Sequence, residues 1–236
     1  MKLENLAIDL SNIHVIRNKL NDFKKSGKFI ISYAEYYSLG SYYISSVADQ
    51  VYLYPEGMLD YRGLRTELMF FKGAIEKYGL DVQIIRGSGN DFKSAVEPFM
   101  YNKMSDENRF QLKSILTTLW NNMNQDIGDS RNITNNNLNQ IADSVLAHNS
   151  SGSLNQNLID ATLYEDELDS IVNSKFSLNE NEKMNKIPFK KYIKKQSSKR
   201  KFNFSKKSNI ALIYAVGEIR SGKNQEGVMG LSLIHI

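Results

Sequence analysis

The chain has 236 residues, of which 41% are hydrophobic and none is cysteine. This composition predicts an ordinary globular core, and the lack of cysteine excludes disulfides, thiol nucleophiles and cysteine-containing zinc sites. The sequence has three scattered histidines, no run of about 18 apolar residues and no signal-peptide pattern, so we predict no metal, no cofactor and no membrane span within it.

Charge is distributed unevenly along the chain. Residues 183–207 carry eleven Lys and Arg and no Asp or Glu, although the net charge is only +4. The other residues hold 19 basic and 26 acidic side chains, so we predict no nucleic-acid-binding surface on the body of the protein. The basic segment also contains aromatic residues, and it is either a solvated linker or a contact for a membrane surface or a nucleic acid.

The first part of the chain predicts a helix followed by two strands. Apolar residues recur at helical spacing over residues 13–23, with Gly27 placed to end the helix, and residues 29–33 and 51–54 are rich in β formers. The tyrosines between and within these elements are predicted to pack in the interior, namely Tyr33, Tyr36, Tyr37, Tyr42 and Tyr43.

Three further elements are predicted before residue 100. Residues 65–78 present an apolar helical face, and Gly79 is the expected C-cap. Residues 80–85 predict a strand, and residues 92–96 predict a short helical turn. That turn is expected to stop near Glu97, because the residue before a proline is pushed out of the α region.

The following segment predicts helices. Ser105 is the expected N-cap of a long helix whose apolar stripe includes Trp120 as a core residue, and Thr134 is the expected N-cap of a helix that ends near Ala147. Residues 164–175 predict another helix. Alternating helices and strands with short connections predict an α/β fold with a largely parallel sheet, in which functional residues lie at the C-terminal ends of strands.

The domain organisation follows from these patterns. Residues 1–175 are predicted to form a compact α/β domain and residues 176–208 a basic linker. Residues 209–230 begin like a second α/β unit, opening with a strand, and residues 231–236 fit no pattern and are predicted to be a non-native tail.

One lysine stands out as a candidate for chemistry. Lys93 is predicted to lie at the start of a helical turn just after a strand, where the helix dipole and burial would lower its pKa from about 10.4 and let it act as a general base. The spacing equally predicts a solvated lysine paired with Glu97, four residues further on. Spacing alone leaves both interpretations open.

Residues 91–99 read Asp-Phe-Lys-Ser-Ala-Val-Glu-Pro-Phe, and this segment resembles the lysine motif of the signal peptide peptidase SppA family, also called protease IV. Flanking segments agree in order over about residues 15–230. The resemblance implies a crotonase/Clp-protease-like α/β fold in two tandem repeats, and a serine peptidase that uses a Ser/Lys dyad. It implies that Lys93 is the general base and that Ser94 has a structural or supporting role.

The same resemblance implies that the nucleophilic serine belongs to the second repeat, beyond residue 236, so we expect no nucleophile in this chain. It implies signal-peptide remnants as substrates, a homo-oligomer, expected to be a tetramer, and no nucleic-acid partner. It also implies a place at the bacterial inner membrane with the catalytic part on the periplasmic side, held by an anchor expected upstream of Met1. The loop from Arg86 to Lys93 is about two residues longer than the family pattern predicts.

Two alternatives remain at this point. The crotonase fold also hosts enzymes that act on acyl-CoA, because a fold does not fix a function. The chain could also be a non-catalytic oligomerisation scaffold.

Overall fold

The computed structural model describes residues 1–3, 8–87, 89–176, 186–199, 218–221 and 228–231. The chain divides into two compact units, Met1–Glu182 and Lys183–Ile236. The helices and strands of the first unit are, in chain order, α1 (Leu10–Lys25), β1 (Ile31–Tyr37), α2 (Leu39–Ser45), β2 (Gln50–Leu59), α3 (Lys72–Tyr78), α4 (Glu97–Met100), α5 (Asp106–Arg131), α6 (Asn135–Asp143), α7 (Ser150–Asn155), β3 (Ala161–Thr162) and α8 (Glu165–Lys175). Those of the second unit are α9 (Phe189–Lys199), β4 (Glu218–Ser221) and β5 (Val228–Leu231).

The first unit is built on a parallel sheet in the order β1-β2-β3. The β1–β2 register starts at Ile31 opposite Gln50 and shifts after Ala34, so that Tyr36 lies opposite Met58. The shift places a bulge in β2. The prediction of an α/β fold with a parallel sheet is confirmed.

The bulge depends on a close approach of backbone at Gly57. A Cβ added there would lie 2.7 Å from the carbonyl oxygen of Glu35 and 2.8 Å from that of Tyr54. The hydroxyl of Ser150, at the start of α7, donates a hydrogen bond to the carbonyl of Pro55 in the same bulge. Only glycine fits this backbone without a shift of its neighbours.

The core lies between the sheet and the helices α1, α2, α5 and α6, and tyrosines make up much of it. Four of the five tyrosines predicted to pack are buried: Tyr33, Tyr37, Tyr42 and Tyr43. Tyr36 is instead 39% exposed, because it follows the register shift and its hydroxyl points to Asp60 at 3.5 Å. Trp120 packs against the core as predicted, and its indole N–H donates to Asn139 at 2.7 Å.

Helix ends with local capping signals lie where they were predicted. Ser105 and Thr134 accept hydrogen bonds from the backbone N–H groups of the first turns of α5 and α6. Gly79 adopts a left-handed conformation at the end of α3. The helix after Thr134 ends at Asp143 rather than near Ala147, because Val145 takes a left-handed backbone with φ of 52°.

The helix predicted over residues 65–78 is shorter than expected, since only Lys72–Tyr78 is helical. Its apolar side chains do not face a core: Met69 is 71% exposed and Tyr78 is 74% exposed. Short helices depend on burying an apolar face, so the part of the segment without such packing stays irregular.

The described residues of the second unit form a helix and a pair of strands. Helix α9 lies inside the segment predicted as a linker, and β4 pairs with β5 in parallel, from Glu218 opposite Val228. Most of the strand predicted at 209–219 lies outside the described residues, as does most of the predicted tail, of which Leu231 ends β5.

Candidate active site around Lys93

Lys93 lies in an irregular loop between α3 and α4. Residues 80–85, predicted as a strand, are not one, and Ile85 is 89% exposed. A strand persists only where another strand pairs with it, and none of the described strands pairs with this segment. The expectation that Lys93 follows the end of a strand is therefore wrong.

The short helix beside Lys93 also differs from the prediction. The helix begins at Glu97 instead of ending there, and Pro98 occupies its first turn. Proline is favoured at that position, because the first amides of a helix have no intrahelical acceptor. Lys93 thus precedes α4 and does not belong to a helical turn.

Backbone hydrogen bonds fix the shape of the loop. The carbonyl oxygen of Asn90 accepts from the guanidinium of Arg86 at 2.6 Å and from the backbone N–H of Lys93 at 2.9 Å. Gly89 has a φ of +71°, in the left-handed region that favours glycine. The loop is therefore closed on itself just before the lysine.

A buried carboxylate ties the other end of the loop to α5. Glu97 has no exposed surface, and its carboxylate accepts from the Ser105 hydroxyl at 2.6 Å and from the Asn108 amide at 2.8 Å. Burial raises the pKa of Glu97, and these hydrogen bonds outweigh that effect and hold the pKa below its ordinary value. Sequence reasoning missed this role, because the partners lie 8 and 11 residues away without a local spacing rule.

The Lys93 side chain itself is exposed. Among the described residues, no carboxylate lies within 4.0 Å of its ammonium group, so the pairing with Glu97 that the spacing predicted does not form. Ser94 is half-buried, and its carbonyl accepts from the backbone N–H of Glu97 at 3.0 Å. Ser94 thus holds the turn into α4.

Apolar side chains around Lys93 are exposed as well. Phe92 is 57% exposed, and Phe99 is 45% exposed although its ring stacks on Phe71 with centroids 5.6 Å apart. The backbone N–H of Phe71 donates to the carbonyl of Pro98 at 2.7 Å, which joins α3 to α4. Exposed apolar side chains therefore lie on both sides of Lys93 in the sequence.

A second cluster of polar groups lies away from this loop, beside a cavity of about 690 Å³ between α1 and α5. The Tyr43 hydroxyl donates to the Asp126 carboxylate and lies 2.9 Å from Nδ1 of His14. Burial and Asp126 raise the pKa of Tyr43, so its hydroxyl keeps its proton and acts as a hydrogen-bond donor. The buried Arg17 guanidinium donates to the Tyr43 and Asp126 carbonyls, so the cluster joins α1, α2 and α5.

The described part of the chain holds neither a cluster of metal ligands nor a membrane-spanning helix. Within it, no three His, Asp or Glu side chains come together as a metal site would require. None of its helices is long and apolar enough to cross a membrane.

The sequence is similar to that of several proteases. The profile described as Peptidase family S49 matches residues 22–177. Protease 4 of Haemophilus influenzae is 32% identical over 225 residues, which cover 92% of this chain and 36% of that protein. Protease 4 of Salmonella typhi is 26% identical over 94% of this chain and 36% of its own length.

A plant protein shows the same similarity. The chloroplastic serine protease SPPA of Arabidopsis thaliana is 25% identical over 99% of this chain and 34% of its own length. The chain thus spans about a third of the length of the curated relatives it matches.

Proposed function

Because the chain belongs to peptidase family S49, we propose that it carries the general base of a serine peptidase and that Lys93 is this base. The observation that carries the proposal is the placement of Lys93 in its motif. Its loop is fixed on one side by Arg86 and on the other by Glu97, while its side chain is exposed and no carboxylate of the described residues lies within 4.0 Å of its ammonium group.

The chemistry needs a lysine in its neutral form. The Nζ lone pair of Lys93 takes the proton of a serine hydroxyl as the serine oxygen attacks the peptide carbonyl carbon. The resulting ammonium then gives that proton to the leaving amine, and an acyl-enzyme remains. The Lys93 amine then takes a proton from a water molecule, and the resulting hydroxide attacks the ester carbonyl. The serine oxygen leaves and receives that proton from Lys93, which restores both the serine hydroxyl and the neutral lysine. No histidine or metal takes part in this sequence of steps.

We place the nucleophilic serine in a part of the protein beyond these 236 residues. We assign Ser94 a structural role instead, because its carbonyl accepts from the backbone N–H of Glu97 in the turn that leads into α4. The exposed Phe92, next to Lys93 in the sequence, and the exposed Ile85, earlier in the same loop, support this placement, since a segment that brings the serine would cover them. The same cover would remove Lys93 from water.

The substrates, partners and location that the family resemblance implies stay part of the proposal. The substrates are peptides, and remnants of cleaved signal peptides are the expected class. The active form is a homo-oligomer, expected to be a tetramer, at the periplasmic face of a bacterial inner membrane. Fractionation of cells that produce the protein tests that location, and recovery in the cytoplasmic fraction would contradict it.

The acyl-CoA alternative receives no support from the site. Such enzymes often use a carboxylate base. Glu97 is the first carboxylate after Lys93 in the sequence, and it is buried and accepts hydrogen bonds from Ser105 and Asn108. The matched family is also one of peptidases.

A serine-directed fluorophosphonate tests whether this chain carries the base of the dyad without its serine. The probe reacts with a serine only where a base activates it, so the 236-residue chain is expected to stay unlabelled and to hydrolyse no peptide. Labelling of any serine within these residues would show that the chain carries its own nucleophile.

A further inference from the structure

Helix α9 separates apolar and basic side chains on opposite faces. Phe189, Tyr192 and Ile193 follow the i, i+3, i+4 spacing that places them on one side of a helix. All three are exposed, at 75%, 51% and 49%. Ile187, two residues before the helix, is 66% exposed as well.

The opposite face of α9 is entirely basic among its described side chains. Lys190, Lys191, Lys194 and Lys195 occupy it, and all are exposed. Neither the helix nor the wider segment 183–207 contains an acidic residue. A helix that only spaces two domains in water usually mixes both signs of charge, and α9 does not.

These charges also work against the helix in water. Like charges at i, i+4 destabilise a helix, and α9 has two such pairs, Lys190 with Lys194 and Lys191 with Lys195. Its length of 11 residues is below the roughly 12–15 that a helix needs to be stable by itself. A surface that covers the exposed apolar side of α9 would supply the stabilisation that a helix of this length lacks in water.

We propose that α9 binds a membrane surface rich in anionic lipid and lies in its plane. The apolar side chains enter the boundary between headgroups and acyl chains, and the lysines contact the anionic headgroups. The helix is far too short to span a bilayer, which fits a surface position. A nucleic acid would contact the lysines and leave the exposed apolar side chains in water, so the lipid surface is the better match.

Vesicle cosedimentation of the full 236-residue chain tests the proposal. Vesicles made of phosphatidylcholine and phosphatidylglycerol in equal parts are expected to bind it, and high salt is expected to release it. Vesicles of phosphatidylcholine alone are expected to bind it poorly. Absence of binding to the anionic vesicles would overturn the proposal.

Two sets of variants separate charge from apolar contact. Changing Lys190, Lys191, Lys194 and Lys195 together to Gln is expected to weaken binding by about a hundredfold or more. The matched control changes four exposed lysines of the first unit to Gln and is expected to bind like the parent: Lys28, Lys77, Lys103 and Lys113. Equal losses in the two quadruple variants would overturn the proposal.

The apolar face has its own matched pair. Phe189→Ser with Ile193→Ser is expected to weaken vesicle binding by about tenfold or more, because both side chains leave water on binding. Phe110→Ser with Ile115→Ser changes two exposed residues of α5 and is expected to leave binding unchanged. Tight binding of an oligonucleotide, together with full vesicle binding by the Phe189/Ile193 variant, would assign the helix to nucleic acid instead. Lys93→Ala is expected to leave vesicle binding intact, which separates this test from the peptidase proposal.

Discussion

The carboxylate of Glu97 accepts a hydrogen bond from the Ser105 hydroxyl at 2.6 Å, and Ser105 is also the N-cap of α5. One serine thus closes the first turn of a 26-residue helix and holds the segment that carries Lys93. The position of the proposed base therefore depends on α5, and α5 is itself held in the core by Met123 and Ile127.

Replacing Glu97 should loosen this attachment. Glu97→Gln is expected to lower the free energy of unfolding of the first unit by about 2 kcal/mol, because hydrogen bonds to a charged acceptor are lost. Urea unfolding measures the change, and hydrogen exchange should become faster at the amides of Lys93 and Tyr101. Glu56→Gln, at an exposed position, is the control and should change stability by less than about 0.5 kcal/mol. Equal stabilities of the two variants would contradict the role of Glu97.

The same carboxylate predicts a pH dependence. The folded-state pKa of Glu97 is lowered from its ordinary value of 4.5, so its stabilisation is fully present above that pH and is lost as the pH falls through the lowered pKa. The difference in unfolding free energy between the wild type and Glu97→Gln should therefore shrink in acid. A difference that grew as the pH fell below 4.5 would show that the sign of the shift is wrong.

Arg17 should be needed for the packing of three helices. Its buried guanidinium also donates to the Ser46 and Ser130 hydroxyls at 2.7 and 2.6 Å. Arg17→Met leaves these groups and two carbonyls without their donor, and the expected loss of stability is about 3 kcal/mol or more. Arg109→Met, at an exposed position on α5, should cost less than about 0.5 kcal/mol in the same thermal or urea unfolding.

The bulge in β2 should tolerate no side chain at Gly57. Gly57→Ala places a methyl group against two carbonyl oxygens, and it is expected to reduce stability by about 1–3 kcal/mol. Gly40→Ala is the matched control, because its added Cβ would lie 3.7 Å from Ile13, an ordinary contact, within helix α2. Calorimetry should show a lower melting temperature for the first variant and no loss for the second.

Local signals were enough to predict the helix ends at Ser105, Thr134 and Gly79, because a cap is made by residues next to each other in sequence. The strand predicted at 80–85 failed for the opposite reason. Its apolar pattern is local, but a strand is made by a partner, and this segment pairs with none of the described strands. The β-propensity of these residues was not enough to form a strand without a pairing partner.

The candidate site was likewise predictable from the sequence only in part. The motif was enough to single out Lys93, since its residues are contiguous in sequence. The i, i+4 spacing predicted an ion pair between Lys93 and Glu97. In the folded chain the Glu97 carboxylate accepts hydrogen bonds from Ser105 and Asn108 instead. Donors brought in by a second helix bury the carboxylate more fully than an exposed lysine could, and no pattern along the sequence encodes that choice. The contact of Tyr43 with Asp126, 83 residues apart, likewise could not be predicted from the sequence pattern.

The role of Lys93 is tested most directly in a protein that supplies the rest of the site. Residues 1–230 would be joined to the part of the Haemophilus influenzae relative that this chain does not span. Peptide hydrolysis by this chimera would be compared with that of its Lys93→Ala and Lys103→Ala variants, with circular dichroism as the check on folding.

Loss of a general base costs about 10²–10⁴-fold in rate, so Lys93→Ala is expected to reduce peptide hydrolysis by at least that much while the fold is kept. Lys103→Ala, an exposed lysine after α4, is expected to leave the rate unchanged. Full activity of the Lys93→Ala chimera would contradict the account and remove this lysine from the mechanism.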